Sequence, residues 1–153
     1  MNFNPIRRHY TLHPLSREHH HSLLLCWKIR TGVRKNIEPE RIKKYIHWFY
    51  QNYLLPHFEM EEKYIFPILG NDHSLIKKTL KEHERLKRFF ELPDGIKNNL
   101  SQIEAELNNH IRFEERILFN KIQSIASEEQ LLQIHLYHSK EKFADNLTDP
   151  FWE

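Results

Sequence analysis

His57-Phe58-Glu59-Met60-Glu61-Glu62-Lys63-Tyr64-Ile65-Phe66 and His110-Ile111-Arg112-Phe113-Glu114-Glu115-Arg116-Ile117-Leu118-Phe119 are two copies of one pattern. In each, a histidine is followed four residues on by a glutamate, then by a second glutamate and an aromatic anchor. Residues i and i+4 of a helix share a face. Each copy therefore projects an imidazole and a carboxylate side by side toward one place. Two such pairs in one small helical chain have the form of two halves of a metal site.

Working outward, the punctuation around these copies divides the chain into helices. Only three glycines occur, at 32, 70 and 95, each where a helical pattern breaks. A first helix is expected from near Ser16, as its cap, to Thr31-Gly32. Pro39 suits the first turn of a second helix running to about Ile68 and kinked at Pro56. Asn71 or Asp72 can cap a third helix ending at Leu92, where Pro93-Asp94-Gly95 turns the chain. A fourth runs from about Ile96 to Ile125, and Ser127-Glu-Glu-Gln130 reads as a capping box for a short fifth. No strand-like alternation of any length appears. The fold class expected is all-α: an up-down-up-down four-helix bundle over residues 12–125, then a short extra C-terminal helix and tail over 126–153.

With 153 residues, 29% of them charged and 12% aromatic, the chain reads as one globular unit with a sizeable core. No stretch reaches the apolar length of a membrane span. The basic start, Met1 to Arg8, is not followed by an uninterrupted apolar run, so no signal peptide is visible and a cytoplasmic location is expected. The net charge of +2 hides interspersed signs. Glu82, Glu84 and Glu91 sit among Lys77, Lys78, Lys81, Arg85, Lys87 and Arg88, which argues against a nucleic-acid-binding face. The single cysteine, Cys26, excludes an internal disulfide and any Cys-x-x-Cys motif, and reads as a small buried hydrophobe.

Twelve histidines are the unusual number. On helix four the inward stripe is Ile96, Leu100, Ile103, Leu107, His110, Glu114, Ile117; on helix two it is Ile46, Tyr50, Tyr53, His57, Glu61, Tyr64, Ile68. Helix three carries Ile76, Leu80, His83, Leu86 and Phe90. On helix one, His19 falls with Leu15, Leu23, Cys26 and Val33, while His20 shares a face with Ser16, Leu24 and Trp27. His19 is the expected inward residue and His20 the alternative. His9, His13, His47, His135 and His138 read as ordinary surface or packing residues. His57 and His83 each lie 13 residues from Gly70, which puts both about 20 Å from that turn at 1.5 Å per residue.

Buried carboxylates are costly unless paired or bound to a cation. Four inward imidazoles with two inward carboxylates exceed the needs of a structural zinc, which takes four ligands. Mixed imidazole and carboxylate ligation suits iron, and also manganese or zinc. Two ions, each with two histidines and both bridged by Glu61 and Glu114, fit the donor count. Such a site leaves positions for water, an oxo or hydroxo bridge, or a diatomic ligand.

The paired His-x-x-x-Glu elements, with single histidines at His19 and His83 and the closing elements Ile65-Phe66-Pro67 and Leu118-Phe119-Asn120, resemble the hemerythrin-like (HHE cation-binding) family over roughly residues 12–125. The resemblance implies a non-haem di-iron centre inside a four-helix bundle. Glu61 and Glu114 would bridge the irons, and His19, His57, His83 and His110 would be terminal ligands. Two departures stand out. Oxygen-carrying hemerythrins add a fifth histidine through His-x-x-x-His on helix three, where this chain has Thr79 and Lys87 on either side of His83. Their last carboxylate lies five residues after its histidine, which would point to Glu115. Iron–sulfur repair proteins of the family fit the four-histidine pattern better, but carry an N-terminal domain with paired cysteines. Glu62 and Glu115 are thus alternative or supporting ligands.

Three functional readings follow. The first is a di-iron protein that binds or senses oxygen, nitric oxide or a related small oxidant. The second is an enzyme or iron donor, handling peroxide or nitric oxide or repairing iron–sulfur clusters, with Tyr50, Tyr53 or Tyr64 as candidate redox or hydrogen-bonding partners, although plain core packing is the favoured role of these tyrosines. The third is a metal-free helical interaction module, in which the inward histidines only hydrogen-bond; under any reading, Trp48, Phe49 or Phe151-Trp152 are candidate packing points between chains.

Overall fold

The computed structural model describes residues 7–153, so the reading of the first six residues lies outside the described part. Every regular element among the described residues is helical. A 3-10 turn, Tyr10–Leu12, leads into α1, His13–Arg34. The second helix, α2, covers residues 39–68 and changes pitch along its length: α-helix Pro39–Phe49, π turn Tyr50–Leu54, α-helix Leu55–Met60, π turn Glu61–Ile65 and 3-10 turn Phe66–Ile68. Helix α3 is Ser74–Glu91. After a single turn, Gly95–Asn98, α4 covers residues 100–125 as Leu100–Phe113, π turn Glu114–Leu118 and Phe119–Ile125. Helix α5 is Glu128–Tyr137 and opens on the expected capping box of Ser127 and Gln130. None of these helices is long and apolar enough to cross a membrane.

Several boundaries differ from expectation, each for a local reason. α1 starts at His13 rather than Ser16, because the preceding 3-10 turn is capped by His9 and Pro14 fits the first helical turn. It passes through Gly32 and stops at Lys35-Asn36, with Asn36 left-handed at φ 57°. Gly32 is needed for close approach instead: a Cβ there would lie 2.8 Å from both Ile42 Cδ1 and Phe151 Cε2. Gly32→Ala is therefore expected to cost about 1–3 kcal/mol of stability through overpacking, read as a lower urea midpoint. The N-cap of α3 is His73, whose ring nitrogen accepts from Leu75 N at 3.1 Å, rather than Asn71 or Asp72. α4 proper begins at Leu100, because Asn99 (φ −134°, ψ 32°) breaks it from the preceding turn.

The π turns re-aim the stripes. In each, an N–H reaches back five residues: Leu55 to Tyr50, Phe66 to Glu61 and Phe119 to Glu114. The extra residue moves the buried position from three residues on to four. Leu54, Ile65 and Leu118 are buried, whereas Tyr53 and Tyr64 are half-exposed and Ile117 is 51% exposed. The turn at Tyr50–Leu54 also takes up the missing N–H of Pro56, so α2 continues past it. On α3, Thr79 is buried and Leu80 only partly so; on α1, Val33 is exposed.

The apolar core comes in two clusters. One holds Leu25, Ile29, Ile46, Leu54, Phe58, Leu86, Ile103 and Leu107; the other holds Leu12, Leu15, Ile65, Phe66, Ile76, Leu118 and Phe119. Where the two sets meet, each long helix carries buried polar residues: His19 and Ser22 on α1, His57 and Glu61 on α2, Thr79 and His83 on α3, His110 and Glu114 on α4. A polar layer thus crosses the interior, and every long helix contributes to it.

The segment after α5 is docked. Lys28, itself buried, donates to Asp145 Oδ2 at 2.6 Å and to the Tyr45 hydroxyl at 2.8 Å, and the Trp152 ring covers it. Asp149 takes a two-pronged pair from Arg41 at 2.7 and 2.8 Å. Phe49 and Phe151, candidates for contacts between chains, are both buried inside this chain. Cys26 is buried as expected, and burial pushes its thiol pKa up to about 12, away from reactive thiolate chemistry.

Candidate metal centre

The polar layer brings together all six residues singled out by spacing. His19, His57, Glu61 and Glu114 form one group, and Glu61, His83, His110 and Glu114 a second. In each, one candidate ligand atom per residue lies within 4.8 Å of the others. Both glutamates belong to both groups. His20, the alternative on α1, is exposed and points away.

The inner atoms are close without being satisfied. His57 Nε2 lies 3.2 Å from Glu61 Oε1, His83 Nε2 lies 3.3 Å from the same oxygen, and His110 Nε2 lies 3.4 Å from Glu114 Oε1. Yet His57 Nε2, His83 Nε2, His110 Nε2 and both Glu61 carboxylate oxygens have no hydrogen-bond partner among the described residues. His19 Nε2 is the exception, bonded to Glu114 Oε1 at 3.0 Å. Buried polar atoms are almost always paired. Nitrogens and oxygens converging on one place without hydrogen-bond geometry suit a cation between them.

Behind the inner atoms stands a ring of four further carboxylates. Glu18, beside His19 on α1, accepts from His57 Nδ1 of α2 at 2.8 Å. Glu62, beside Glu61 on α2, faces His83 Nδ1 of α3 at 3.5 Å. Glu82, beside His83 on α3, accepts from His110 Nδ1 of α4 at 2.7 Å. Glu115, beside Glu114 on α4, accepts from His19 Nδ1 of α1 at 3.0 Å, closing the ring. Three of the four imidazoles are thus hydrogen-bonded from the preceding helix, while His83 Nδ1 only faces its carboxylate and makes no hydrogen bond among the described residues. An Nδ1–H given to a carboxylate leaves the Nε2 lone pair aimed inward, the tautomer a metal ligand needs. Glu62 and Glu115 were named as alternatives; Glu18 and Glu82 were missed. Their signal was the doublets Glu18-His19 and Glu82-His83 set against Glu61-Glu62 and Glu114-Glu115.

The π turns have a local role here. They begin at Glu61 and Glu114, and the wider turn lets two successive carboxylates work on neighbouring faces, one inward and one toward the next helix. Each outer carboxylate has its own basic partner in turn. Arg8 reaches Glu115 at 3.1 Å, Lys87 reaches Glu62 at 3.3 Å, Lys78 reaches Glu82 at 2.5 Å and His138 Nε2 reaches Glu18 at 3.1 Å. His138, taken from sequence as an ordinary packing residue, therefore belongs to this outer layer.

Thr79 occupies the place four residues before His83, and its buried hydroxyl donates to Glu114 Oε2 at 2.7 Å. Aromatic rings seal the layer: Phe58 stacks on His83 with centroids 3.9 Å apart, and Phe119 on His19 at 5.0 Å. The tyrosines considered as redox partners serve elsewhere. Tyr50 donates to Glu91, Tyr53 to the Ala144 carbonyl, and Tyr64 stacks on Tyr137.

Electrostatics follow from this geometry. Burial works against the charged form of His57, but the Glu61 charge and the bond to Glu18 outweigh it and raise its pKa to about 9. His19, His83 and His110 are raised by their glutamates in the same way, against the opposing effect of burial. Burial pushes the Glu18 carboxyl up, but its bonds to His138 and His57 win and hold it at about 2. Without a metal, protons on the imidazoles balance the inner carboxylates.

The chain belongs to the hemerythrin HHE cation-binding domain family, whose model matches residues 11–122. No curated protein and no solved structure gives a match. A metal cation is what that family's domain binds, and the orphaned inner atoms fit one.

The supporting ring can be tested directly. Glu82→Gln is expected to weaken metal binding about 10–100-fold in chelator competition, because His110 Nδ1 loses the carboxylate charge that strengthens its bond and fixes its tautomer. Glu84→Gln, two residues on and exposed, should leave the affinity unchanged.

Proposed function

We propose that this chain is a non-haem di-iron protein that binds or senses oxygen, nitric oxide or a related small oxidant. In this reading its four long helices make an up-down-up-down bundle. His19 and His57 serve one ion, His83 and His110 the other, and Glu61 and Glu114 bridge them. The observation carrying the proposal is the convergence of candidate ligand atoms from four helices on one buried layer, with the Nε2 atoms of His57, His83 and His110 and both Glu61 oxygens unsatisfied.

A pair of iron ions would supply redox-active centres with open coordination positions. The chain's own residues would do the rest. Glu18, Glu82 and Glu115 hold three of the imidazoles in register, Glu62 faces the fourth, and Thr79 holds one oxygen of Glu114 by its hydroxyl. Phe58 and Phe119 keep the layer dry, which favours a small uncharged ligand over a hydrated one. Neither place four residues from His83, Thr79 or Lys87, supplies the fifth histidine of the oxygen carriers, so one ligand position would be available for exchange. This favours sensing or oxidant handling over simple storage.

The test is elemental analysis with optical spectra, on protein purified without added metal. About two irons per chain are expected, with ferric charge-transfer absorption in air that changes under nitric oxide. Protein that carries no iron, or iron whose spectrum ignores both gases, would sink the proposal. Turnover of peroxide or nitric oxide would instead favour the enzyme reading.

A further inference from the structure

Residues 135–143 lie beyond the family-matched stretch, and they fold back across α1 and α2 to wall a cavity of about 530 Å³. Its inner side is Glu18 and His57, the outer face of the metal layer. Its flanks are aromatic, including Tyr53 and Phe143. Phe143 is held there, stacked on His21 with centroids 4.1 Å apart, while the Tyr53 hydroxyl bonds the Ala144 backbone at 3.0 and 3.1 Å.

The charges around this cavity are mainly positive. Arg17, Lys140 and Lys142 line it and are exposed. Of the two acids lining it, Glu18 is already bonded to His57 and His138, and Glu141 is exposed. His135 also lines the cavity, and its buried Nδ1 has no hydrogen-bond partner among the described residues. A diatomic ligand needs nothing of this size, since a water molecule's share of the liquid is about 30 Å³. Cavities of about 300–1,000 Å³ with apolar walls and a few polar groups take small organic molecules. An inorganic anion would leave the aromatic walls unused, and a neutral one would leave the basic rim unused.

We propose that this cavity binds a small organic carboxylate with a flat apolar body, its ring against Tyr53 and Phe143 and its carboxylate at Arg17 and Lys140. The occupant would lie against the Glu18–His57 pair, so the C-terminal segment gives the metal layer a second, organic neighbour. This site uses donors separate from the metal ligands and does not depend on the di-iron reading.

Calorimetric titration of the full chain with benzoate and phenylacetate tests it, with benzyl alcohol as the neutral control. Saturable one-site binding of at least one carboxylate is expected, at least tenfold tighter than the alcohol. Stripping metal with a chelator should preserve that binding. The double variant Arg17→Gln, Lys140→Gln alters only exposed side chains and should weaken it at least tenfold; Phe143→Ala should weaken it as well. The proposal is overturned if neither carboxylate saturates, if the alcohol binds as tightly, or if the double variant binds like the parent. It is also overturned if binding vanishes with the metal, which would make the metal itself the receptor.

Discussion

His110→Ala is expected to leave about one metal ion per chain where the parent holds about two, and His57→Ala is expected to do the same from the other side. Each histidine belongs to one four-residue group only, while Glu61 and Glu114 belong to both. Losing one imidazole reduces one group to three protein donors and leaves the other whole. The double variant loses a ligand from each group and should bring metal content near zero. Elemental analysis of each purified variant reads this, with circular dichroism to verify that the helices persist. A folded double variant with parental metal content would remove the six-residue layer as the metal site. Glu114→Gln provides a contrast: it keeps the volume and one of the two oxygens that face Thr79 and His19, yet removes a shared negative charge, so both ions should weaken together.

Much of this arrangement is legible in the sequence because two signals are strong at short range. The spacing of four within His57-x-x-x-Glu61 and His110-x-x-x-Glu114 places each pair on one helical face, and the residue count around Gly70 puts His57 and His83 at one level. Both depend only on helix geometry. What was not legible depends on hydrogen-bond register. Nothing in the residue types at Glu61–Ile65 or Glu114–Leu118 announces that the N–H reaches back five residues, so Tyr64 and Ile117 looked inward in place of Ile65 and Leu118.

The supporting ring was half-legible for a different reason. Glu62 and Glu115 drew notice because they follow the repeated glutamates. Glu82 stands among the mixed charges of its helix and Glu18 has no local signal, because their role lies across a helix–helix boundary that single-helix periodicity does not see. Thr79 likewise registered only as the absence of a histidine, whereas its hydroxyl positions Glu114. The docked C-terminal segment rests on pairs more than a hundred residues apart, such as Lys28 with Asp145, which no local pattern encodes.

Metal loading is expected to raise the melting temperature by roughly 15–30 °C, and the gain should widen as the pH rises. At free metal a thousandfold above Kd, each ion adds about 4 kcal/mol. A domain of this size gains about 2–4 °C per kcal/mol, and two ions give the stated range. The pH dependence comes from the metal-free protein. The folded pKa of His57, at about 9, lies above the roughly 6.5 of an unfolded histidine. Its protonation therefore stabilises the metal-free fold fully below about pH 6.5, and that contribution is lost as the pH rises through 9. His19, His83 and His110 are raised too and add in the same direction. In the loaded protein the imidazoles are neutral and their lone pairs are taken, so this loss has no counterpart. Metal binding must then release protons near neutrality. Melting curves at pH 6, 7.5 and 9, with and without chelator, measure the gap, and a gap constant across that range would mean the buried histidines are not where the metal binds.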